Sequence, residues 1–293
     1  MLTTRTEILA EGVTIHMGDA REIVPTLPRA DAVVTSPPYG QQRDYGKKVD
    51  DWRALVSGTL CGVPSAPEAQ ILVNLGLVHR DGEVVPYWQP FLDDMRAAGW
   101  RHFGWYVWDQ QFGLPGDWNG RLAPSHEFVF HFNRIAKQPN KTKPSVSVGR
   151  KIGKTALTQK DGTSSRASGA GDDVNLAKIP DSVIRVTREM SRQGEWADHP
   201  ARFPENFARE LVGTYSNPAQ TIIDPFMGSG TTGVAAVKMG RRFIGIEIEQ
   251  NWFDISCRRI SDALARPDLF VESPARVRPP EPMELALNST GRP

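Results

Sequence analysis

The sequence is poor in cysteine, histidine and long apolar runs, and each shortage excludes a class of protein. The two cysteines among 293 residues, Cys61 and Cys257, are too few for a disulfide framework or a cysteine-based metal cluster. The six histidines show no ligand spacing, so we expect no metal. No apolar run approaches the roughly 18 residues that would cross a bilayer, and the first residues lack the apolar core of a secretion signal. We therefore expect a cytoplasmic protein without a membrane partner.

The chain also has almost no net charge, +1 at pH 7, but its charges are unevenly spread. The segment 134–166 contains nine basic residues against Asp161 alone, a local charge of +8 within 33 residues. Such a stretch attracts a phosphate backbone and makes binding sensitive to salt. A solvated surface is the alternative, because charge runs are common there.

Near the C-terminus, apolar segments flank a glycine-rich turn. Thr221 to Ile223 is a β-branched run, Gly228 and Gly230 interrupt it, and Thr232 to Met239 returns to good helix formers. Phe243 to Ile248 is a second apolar strand. The pattern predicts a β-α-β unit.

Asp224 and Glu247 stand at the carboxyl ends of these two predicted strands, the edge at which open α/β sheets bind ligands. Glycines let the backbone approach a ligand closely, and a carboxylate ending the second strand can accept hydrogen bonds from two ribose hydroxyls. The turn lacks the Lys-Ser/Thr pair of a phosphate-binding loop. We infer a site for an adenosine compound that need not carry phosphate; an ordinary glycine-rich turn is the alternative.

A second motif, Val33-Val-Thr-Ser-Pro-Pro-Tyr-Gly40, lies near the N-terminus. Asp31 to Thr35 is a predicted strand, and the two prolines end regular structure immediately after it. The turn offers a Ser36 hydroxyl, carbonyl acceptors and the aromatic face of Tyr39. These groups can hold a flat base by stacking and accept hydrogen bonds from its exocyclic amino group. A proline turn with a half-buried tyrosine is the alternative.

Together, Thr-Ser-Pro-Pro-Tyr-Gly and Asp-Pro-Phe-Met-Gly-Ser-Gly-Thr-Thr resemble the amino-methyltransferases of DNA, which methylate N4 of cytosine or N6 of adenine. The catalytic motif precedes the cofactor motif, an order similar to the β group of that family. The resemblance covers roughly residues 13 to 265. It implies a Rossmann-like α/β fold with a doubly wound, mostly parallel sheet and circularly permuted motif order. It also implies S-adenosyl-L-methionine as cofactor and double-stranded DNA as partner, with or without a cognate restriction endonuclease, and association with the nucleoid.

The resemblance assigns roles residue by residue. The catalytic residues would be Ser36, Pro37, Pro38 and Tyr39. The cofactor-binding residues would be Asp19, Phe203, Pro204, Asp224, Pro225, Phe226, Gly228, Ser229, Gly230, Thr231, Thr232 and Glu247.

Some of these roles have alternatives. Asp19 matches a residue that lies beside the cofactor's adenine in the family, but it also suits the N-cap of a helix predicted over Ala20 to Leu27, and both roles can coexist. Phe203 and Pro204, with Arg202, would flank the methionine end of the cofactor. Trp108 and His126-Glu127 would neighbour the flipped base, although core packing explains such aromatics equally well.

The resemblance also suggests a division of the chain. Residues 1–134 and 196–270 would form the catalytic and cofactor-binding domain, 135–195 a basic target-recognition insert, and 271–293 a tail without fixed structure. Phosphate contacts would come from the loop after the catalytic turn and from the insert. The DNA-binding candidates are Arg43, Lys47, Lys48, Lys141, Lys143, Arg150, Lys151 and Lys154.

Hydrophobic periodicity and turn residues predict the remaining elements. We expect helices from Asp50 or Asp51, over Tyr87 to Ala98, after Pro204 and over Asn251 to Ala265, and strands over Val13 to Asp19, Ala69 to Gly76, Arg101 to Trp108 and His126 to Phe132.

The expected chemistry is direct methyl transfer to an exocyclic amine. Methylation at cytosine C5 is excluded because neither cysteine follows a proline, the setting of the nucleophile in that family. Family members with serine at the first position of the catalytic tetrapeptide are mostly cytosine-N4 enzymes, so Ser36 favours cytosine N4. An adenine-N6 enzyme, an RNA methyltransferase and a non-catalytic nucleic-acid binder are the alternatives.

Overall fold

The structure is a computed structural model that describes residues 5–38, 52–113, 116–145, 148, 156–158, 164–166, 176–188 and 203–266. It divides into two compact units, Met1–Pro144 with Ala177–Asp268 and Ser145–Leu176 with Leu269–Pro293. Several predictions lie outside the described residues. They concern Tyr39, Arg43, Lys47, Lys48, Arg150, Lys151, Lys154, Arg202 and the tail 271–293.

The described strands and helices follow each other along the chain in an α/β order. The strands are β1 (Arg5–Ala10), β2 (Val13–Met17), β3 (Ala30–Thr35), β4 (Ser65–Leu75), β5 (Val78–Arg80), β6 (Glu83–Val85), β7 (Arg101–Asp109), β8 (His126–Asn133), β9 (Lys143–Pro144), β10 (Ala156–Thr158), β11 (Ser164–Arg166), β12 (Ala177–Lys178), β13 (Val183–Arg185), β14 (Thr221–Asp224) and β15 (Arg242–Glu247). The helices are α1 (Ala20–Ile23), α2 (Trp52–Leu60), α3 (Gln89–Ala97), α4 (Glu205–Tyr215), α5 (Thr231–Lys238) and α6 (Gln250–Ala265).

Nine strands of the first unit form one sheet in the order β1-β2-β15-β14-β3-β4-β8-β7-β13. Five of its eight neighbouring pairs are parallel, and the pairs β1-β2, β4-β8 and β8-β7 are antiparallel. The prediction of a doubly wound, mostly parallel sheet is confirmed. β1, half-exposed and without apolar alternation, was not predicted.

An apolar core covers each face of the sheet. The strands have few polar residues, so both of their faces must be buried. On one face, α4, α5 and α6 contribute Phe207, Val234 and Phe253. On the other, α2 and α3 contribute Val56 and Phe91. Burial on both faces explains why β3, β4, β14 and β15 read as continuous apolar runs in the sequence. None of the helices in the described segments is long and apolar enough to cross a membrane.

One predicted helix ends early. Instead of running from Ala20 to Leu27, α1 stops at Ile23, and Val24–Thr26 forms a 3₁₀ turn. Pro25 has no N–H to donate to the carbonyl four residues before it, so the α-helical ladder cannot continue. The prediction was wrong in the second half of this helix.

Both flanks of the predicted insert belong to the first unit. The Nδ2 of Asn140 donates to the carbonyls of Gly213 (2.9 Å) and Ser216 (2.8 Å), at the end of α4. After the second unit, β12 pairs with β9 and β13 joins the sheet edge parallel to β7. Segments this short carry no periodicity, so the sequence did not reveal them. That the segment between these flanks recognises a DNA target stays a prediction.

Candidate functional site

The two sequence motifs lie on adjacent strands where the sheet reverses its winding. From β3 the chain crosses to β4 on one side, and from β14 it crosses to β15 on the other, so the boundary between β3 and β14 is the topological switch point. Ligands bind at the carboxyl ends of the strands at such a point. There the Oγ1 of Thr35 donates to the Oδ1 of Asp224 at 2.7 Å, across 189 positions of sequence. Ser36 and the glycine-rich turn therefore begin beside each other.

Asp224 is the buried anchor of this contact. Its Oδ1 also accepts the backbone N–H of Phe226 at 3.1 Å. Burial raises the pKa of Asp224 to about 6, although hydrogen bonds from Thr232, Thr35 and the Phe226 N–H act in the opposite direction. The carboxyl group thus ties the end of β14 to the end of β3 and to the turn that follows.

Glu247, at the end of β15, is hydrogen-bonded to the other side of the glycine-rich turn. Its Oε2 accepts the backbone N–H of Gly228 at 2.9 Å, and its Oε1 accepts that of Glu249 at 2.8 Å. Burial raises its pKa to about 7 against the lowering effect of these backbone donors, even though part of the residue is open to solvent. A carboxylate can accept about four hydrogen bonds, so both oxygens keep capacity for a ligand.

The turn itself adopts a conformation that suits glycine. Gly228 and Gly230 have φ of +51° and +80°, in the left-handed region that side chains disfavour. Gly230 is the N-cap of α5. The predicted cofactor residues from Pro225 to Gly230 therefore lie on one continuous turn between β14 and α5, and Thr231 and Thr232 are the first residues of α5.

Asp19 takes the N-cap position that was the alternative for it. Its Oδ1 accepts the backbone N–H of Arg21 at 2.9 Å, and its Oδ2 pairs with the Arg21 guanidinium at 2.5 Å. The hydrogen bond that the Arg21 side chain donates to the carboxylate lowers the pKa of Asp19. The N–H of Gly18 donates to the Glu247 carbonyl at 2.9 Å, so Asp19 also stands beside the end of β15. Its predicted role beside an adenine stays a prediction.

The predicted catalytic turn Ser36-Pro37-Pro38 is held by a contact from α2. The Nε1 of Trp52, in α2, donates to the Pro38 carbonyl at 2.5 Å, and the Trp52 ring meets that of Tyr87 edge-on at 4.8 Å. A buried indole thus fixes the path of the chain beyond β3.

A buried polar pair lies one strand away from this turn. The Nδ2 of Asn74 donates to the Oε2 of Glu127 at 2.6 Å, and Asn74 follows Val73, the partner of Thr35 in the β3-β4 ladder. Glu127 therefore lies beside the carboxyl end of β4, one strand away from Ser36, and its place next to a flipped base stays a prediction. Asn74 was missed, although a polar residue inside the apolar run of β4 was a usable signal.

Trp108 packs in the core. It is 2% exposed, its Nε1 donates to the Val186 carbonyl at 2.8 Å, and its ring stacks on Phe207 at 4.6 Å. Core packing was the alternative stated for this residue. Phe203 meets Phe207 edge-on at 5.6 Å, and Pro204 is the N-cap of α4, so both reach the same face of the sheet.

Most of the basic residues that the structure describes in the 134–166 segment contact other groups of the protein. Arg134 stacks on Trp100 at 3.9 Å, and Lys143 forms an ion pair with Glu210. Lys141 is exposed. Among the described residues, no group of three or more His, Cys, Asp or Glu side chains is arranged to hold a metal ion.

A doubly wound sheet with a glycine-rich turn and a strand-ending carboxylate at its switch point defines a nucleoside-binding α/β protein. The identity of this nucleoside-binding protein follows from comparison with known families. The chain belongs to the DNA methylase family, the N6 and N4 methyltransferases, whose model it matches over residues 30–258.

Individual relatives agree with this family. The chain is 37% identical over 89 residues to the DNA adenine methyltransferase YhdJ of Escherichia coli, a match that covers 30% of each protein. It is 26% identical over 255 residues to the type II methyltransferase M.BglII of Bacillus subtilis, covering 84% of this chain and 68% of that protein.

Solved structures share the fold. The PvuII DNA methyltransferase (cytosine-N4-specific) has a TM-score of 0.62 at 18% identity and covers 86% of this chain and 91% of its own. A putative DNA modification methylase from Thermus thermophilus, complexed with S-adenosyl-L-methionine, has a TM-score of 0.54 at 21% identity and covers 85% of this chain and 95% of its own.

Proposed function

We propose that this protein transfers a methyl group from S-adenosyl-L-methionine to N4 of a cytosine that is flipped out of double-stranded DNA. The supporting observation is the Thr35–Asp224 hydrogen bond at the switch point, which sets the Ser36 turn beside the glycine-rich turn. A base acceptor site and a cofactor site can then share one crevice.

The residues at the end of β15 fit the cofactor. Glu247 keeps acceptor capacity for two ribose hydroxyls, and Ile248 beside it is 43% exposed, which offers apolar surface to an adenine ring. The turn carries no lysine for a phosphate, in keeping with a cofactor that has none. When bound, S-adenosyl-L-methionine supplies an electrophilic methyl group on its sulfonium.

The chain's own contribution is to prepare the amine. An exocyclic amine is a poor nucleophile because its lone pair is delocalised into the ring. The Ser36 hydroxyl and the Pro37 carbonyl accept hydrogen bonds from its N–H groups and favour the pyramidal geometry that develops in the transition state. Tyr39 stacks on the base and offsets part of the few kcal/mol spent on flipping it.

The choice of base rests on Ser36. In the family resemblance, serine at this position goes with cytosine N4, whereas the likeness to the PvuII enzyme, at 18% identity, is one of fold alone. Adenine N6 is the second candidate, because YhdJ, at 37% identity over 89 residues, is named an adenine methyltransferase.

Nucleoside analysis distinguishes the two bases. We expect DNA from a host without its own methyltransferases, expressing the full chain, to contain N4-methylcytosine when it is digested and separated by liquid chromatography with mass detection. DNA from cells that express Ser36→Ala is the control for background. N6-methyladenine alone would overturn the choice of cytosine, and no modified base in DNA would overturn the proposal, with RNA tested in parallel.

DNA binding would use basic residues around the crevice. Lys141 is exposed and suits a phosphate contact, whereas the ion pair with Glu210 leaves Lys143 less suited. Cytoplasmic action near the nucleoid, with or without a partner endonuclease, belongs to this proposal.

We also expect cofactor affinity to rise with pH. Ribose hydroxyls donate to the ionised form of Glu247, whose pKa is raised to about 7 in the free protein, so binding below that pH releases a proton. Calorimetry at about pH 6.5 in buffers of different ionisation enthalpy measures this proton. Glu247→Gln should bind without proton release; equal release in both proteins would contradict the assignment.

Protein stability should change in the opposite direction. Asp224 and Glu247 have pKa values of about 6 and 7, above their ordinary values of 3.8 and 4.5. Between those values the folded protein holds protons that the unfolded chain has lost, so the stability that these groups contribute is fully present below their ordinary pKa values and is lost as pH rises to about 6 to 7. The cofactor-induced rise in Tm should therefore grow over the same interval.

A further inference from the structure

Helix α6 binds the glycine-rich turn through one arginine. The Nη1 of Arg259 donates to the Ser229 carbonyl at 2.5 Å and to the Ser229 Oγ at 2.9 Å, and lies 3.4 Å from the Thr231 Oγ1. Ser229 and Thr231 are both buried. Arg259 therefore holds the middle of the turn that links β14 to α5.

The same helix packs directly on the backbone of this turn. A Cβ built on Gly230 would lie 2.8 Å from the Ser256 Cβ, and one built on Gly233 would lie 2.5 Å from the Ile260 Cδ1. The Ile260 methyl is the end of a flexible side chain and could move away from Gly233, which lies in α5, but Ser256 leaves no room for a Cβ on Gly230, so α6 can lie this close to the turn because residue 230 is glycine. The turn takes its shape against α6.

The position of Arg259 is not explained by helix electrostatics. Gly230 begins α5, and the amino end of a helix carries partial positive charge, which disfavours a nearby cation. A guanidinium nonetheless makes charge-assisted hydrogen bonds there, and these are stronger and more directional than neutral ones. Its contribution is to fix the turn rather than to stabilise the helix dipole.

The start of α6 contacts Glu247, the carboxylate on the other side of the proposed cofactor site. The N–H of Glu249, the N-cap residue of α6, donates to Glu247, and the opposite oxygen of Glu247 accepts the N–H of Gly228. The carboxylate and the turn are thus both connected to α6, at its first turn and near its middle.

We propose that Arg259 is a positioning residue for the cofactor and that α6 is the element whose docking sets the shape of the cofactor site. This inference rests on the proposed cofactor site. Cofactor binding should in turn stabilise α6, because coupling between two sites is reciprocal.

The test compares four full-length proteins: wild type, Arg259→Ala, Arg259→Lys and the matched control Arg258→Ala. Arg258 is the preceding residue of the same helix and is exposed. Calorimetry with S-adenosyl-L-methionine gives Kd, steady-state methylation of DNA gives KM and kcat, and hydrogen exchange gives the protection of α6 amides, with α3 on the opposite face as reference.

For Arg259→Ala we expect the Kd and KM for the cofactor to rise about tenfold or more, while kcat at saturating cofactor stays within about threefold. The added protection of α6 on cofactor binding should be lost. Arg259→Lys should recover part of the affinity, since it keeps the charge but not the planar fork. Arg258→Ala should match wild type in all three measurements.

Unchanged cofactor affinity in Arg259→Ala would overturn this inference and leave the proposed function standing. A fall in kcat alone would also overturn it, because the residue would then act on the chemical step. Failure of the wild type to bind the cofactor would instead overturn the proposed function and the inference with it. If Arg259→Ala does not fold, as judged by circular dichroism, the comparison of Arg259→Lys with wild type decides.

Discussion

Replacing Ser36 with alanine should reduce the rate of DNA methylation by about 100- to 1,000-fold, while the Kd for S-adenosyl-L-methionine stays within about twofold. A loss of rate of this size is typical when one group that stabilises developing charge in a transition state is removed. Ser36 directly follows β3 and lies outside the glycine-rich turn, and the hydrogen bonds described above for Asp224 and Glu247 come from other residues. Single-turnover kinetics with saturating cofactor measures the effect on the chemical step.

The neighbouring Thr35 supplies a contrasting variant. Thr35→Val removes the hydrogen bond to the buried Asp224 carboxyl, so it should lower Tm and weaken cofactor binding, whereas Ser36→Ala should do neither. If the cofactor Kd rises in Ser36→Ala as much as in Thr35→Val, the separation between an acceptor turn and a cofactor turn is wrong.

Replacing Glu247 with alanine should raise the Kd for S-adenosyl-L-methionine by about 100-fold. Hydrogen bonds to a charged acceptor contribute about 1.5–3 kcal/mol each, and tenfold in affinity corresponds to about 1.4 kcal/mol. The substitution also releases the N–H groups of Gly228 and Glu249, which loosens the turn. Calorimetry gives the Kd, and fluorescence anisotropy with a DNA duplex should show that DNA affinity is preserved.

Glu249→Ala is the matched control, because it removes a carboxylate two residues away but keeps the backbone N–H that Glu247 accepts. It should bind the cofactor like the wild type. Equal loss in both variants would mean that local charge, and not the ribose-binding geometry of Glu247, determines affinity.

The buried half of the fold was predictable from residue pattern. Strands β3, β14 and β15, and β4 from Ala69 onward, are covered on both faces, which selects short apolar, β-branched runs that can be recognised without a structure. The edges of the sheet were not predictable: β1 is half-exposed and β13 is three residues long, so neither carries a periodic signal.

The candidate site divides in the same way. Ser36, the glycines of the turn, Asp224 and Glu247 could be predicted as site residues because a strand, a turn and a polar residue follow each other along the chain. The contribution of Arg259 could not be identified, since a basic residue on the polar side of an amphipathic helix has the pattern of a solvated one. Trp108 shows the converse: an aromatic strand predicts burial equally well at a site or in a core, and its contacts with Phe207 and Val186 place it in the core.

The sequence by itself determined the fold class, the family and the residues at the ends of the central strands, because these depend on local order and on short motifs. Only the tertiary structure decided that Thr35 and Asp224 share a hydrogen bond, that Asp224 and Glu247 have raised pKa values, and that α6 supports the glycine-rich turn. Each of these depends on distance and burial between groups that the chain separates, and such distances are set only when the sheet assembles and its helices pack.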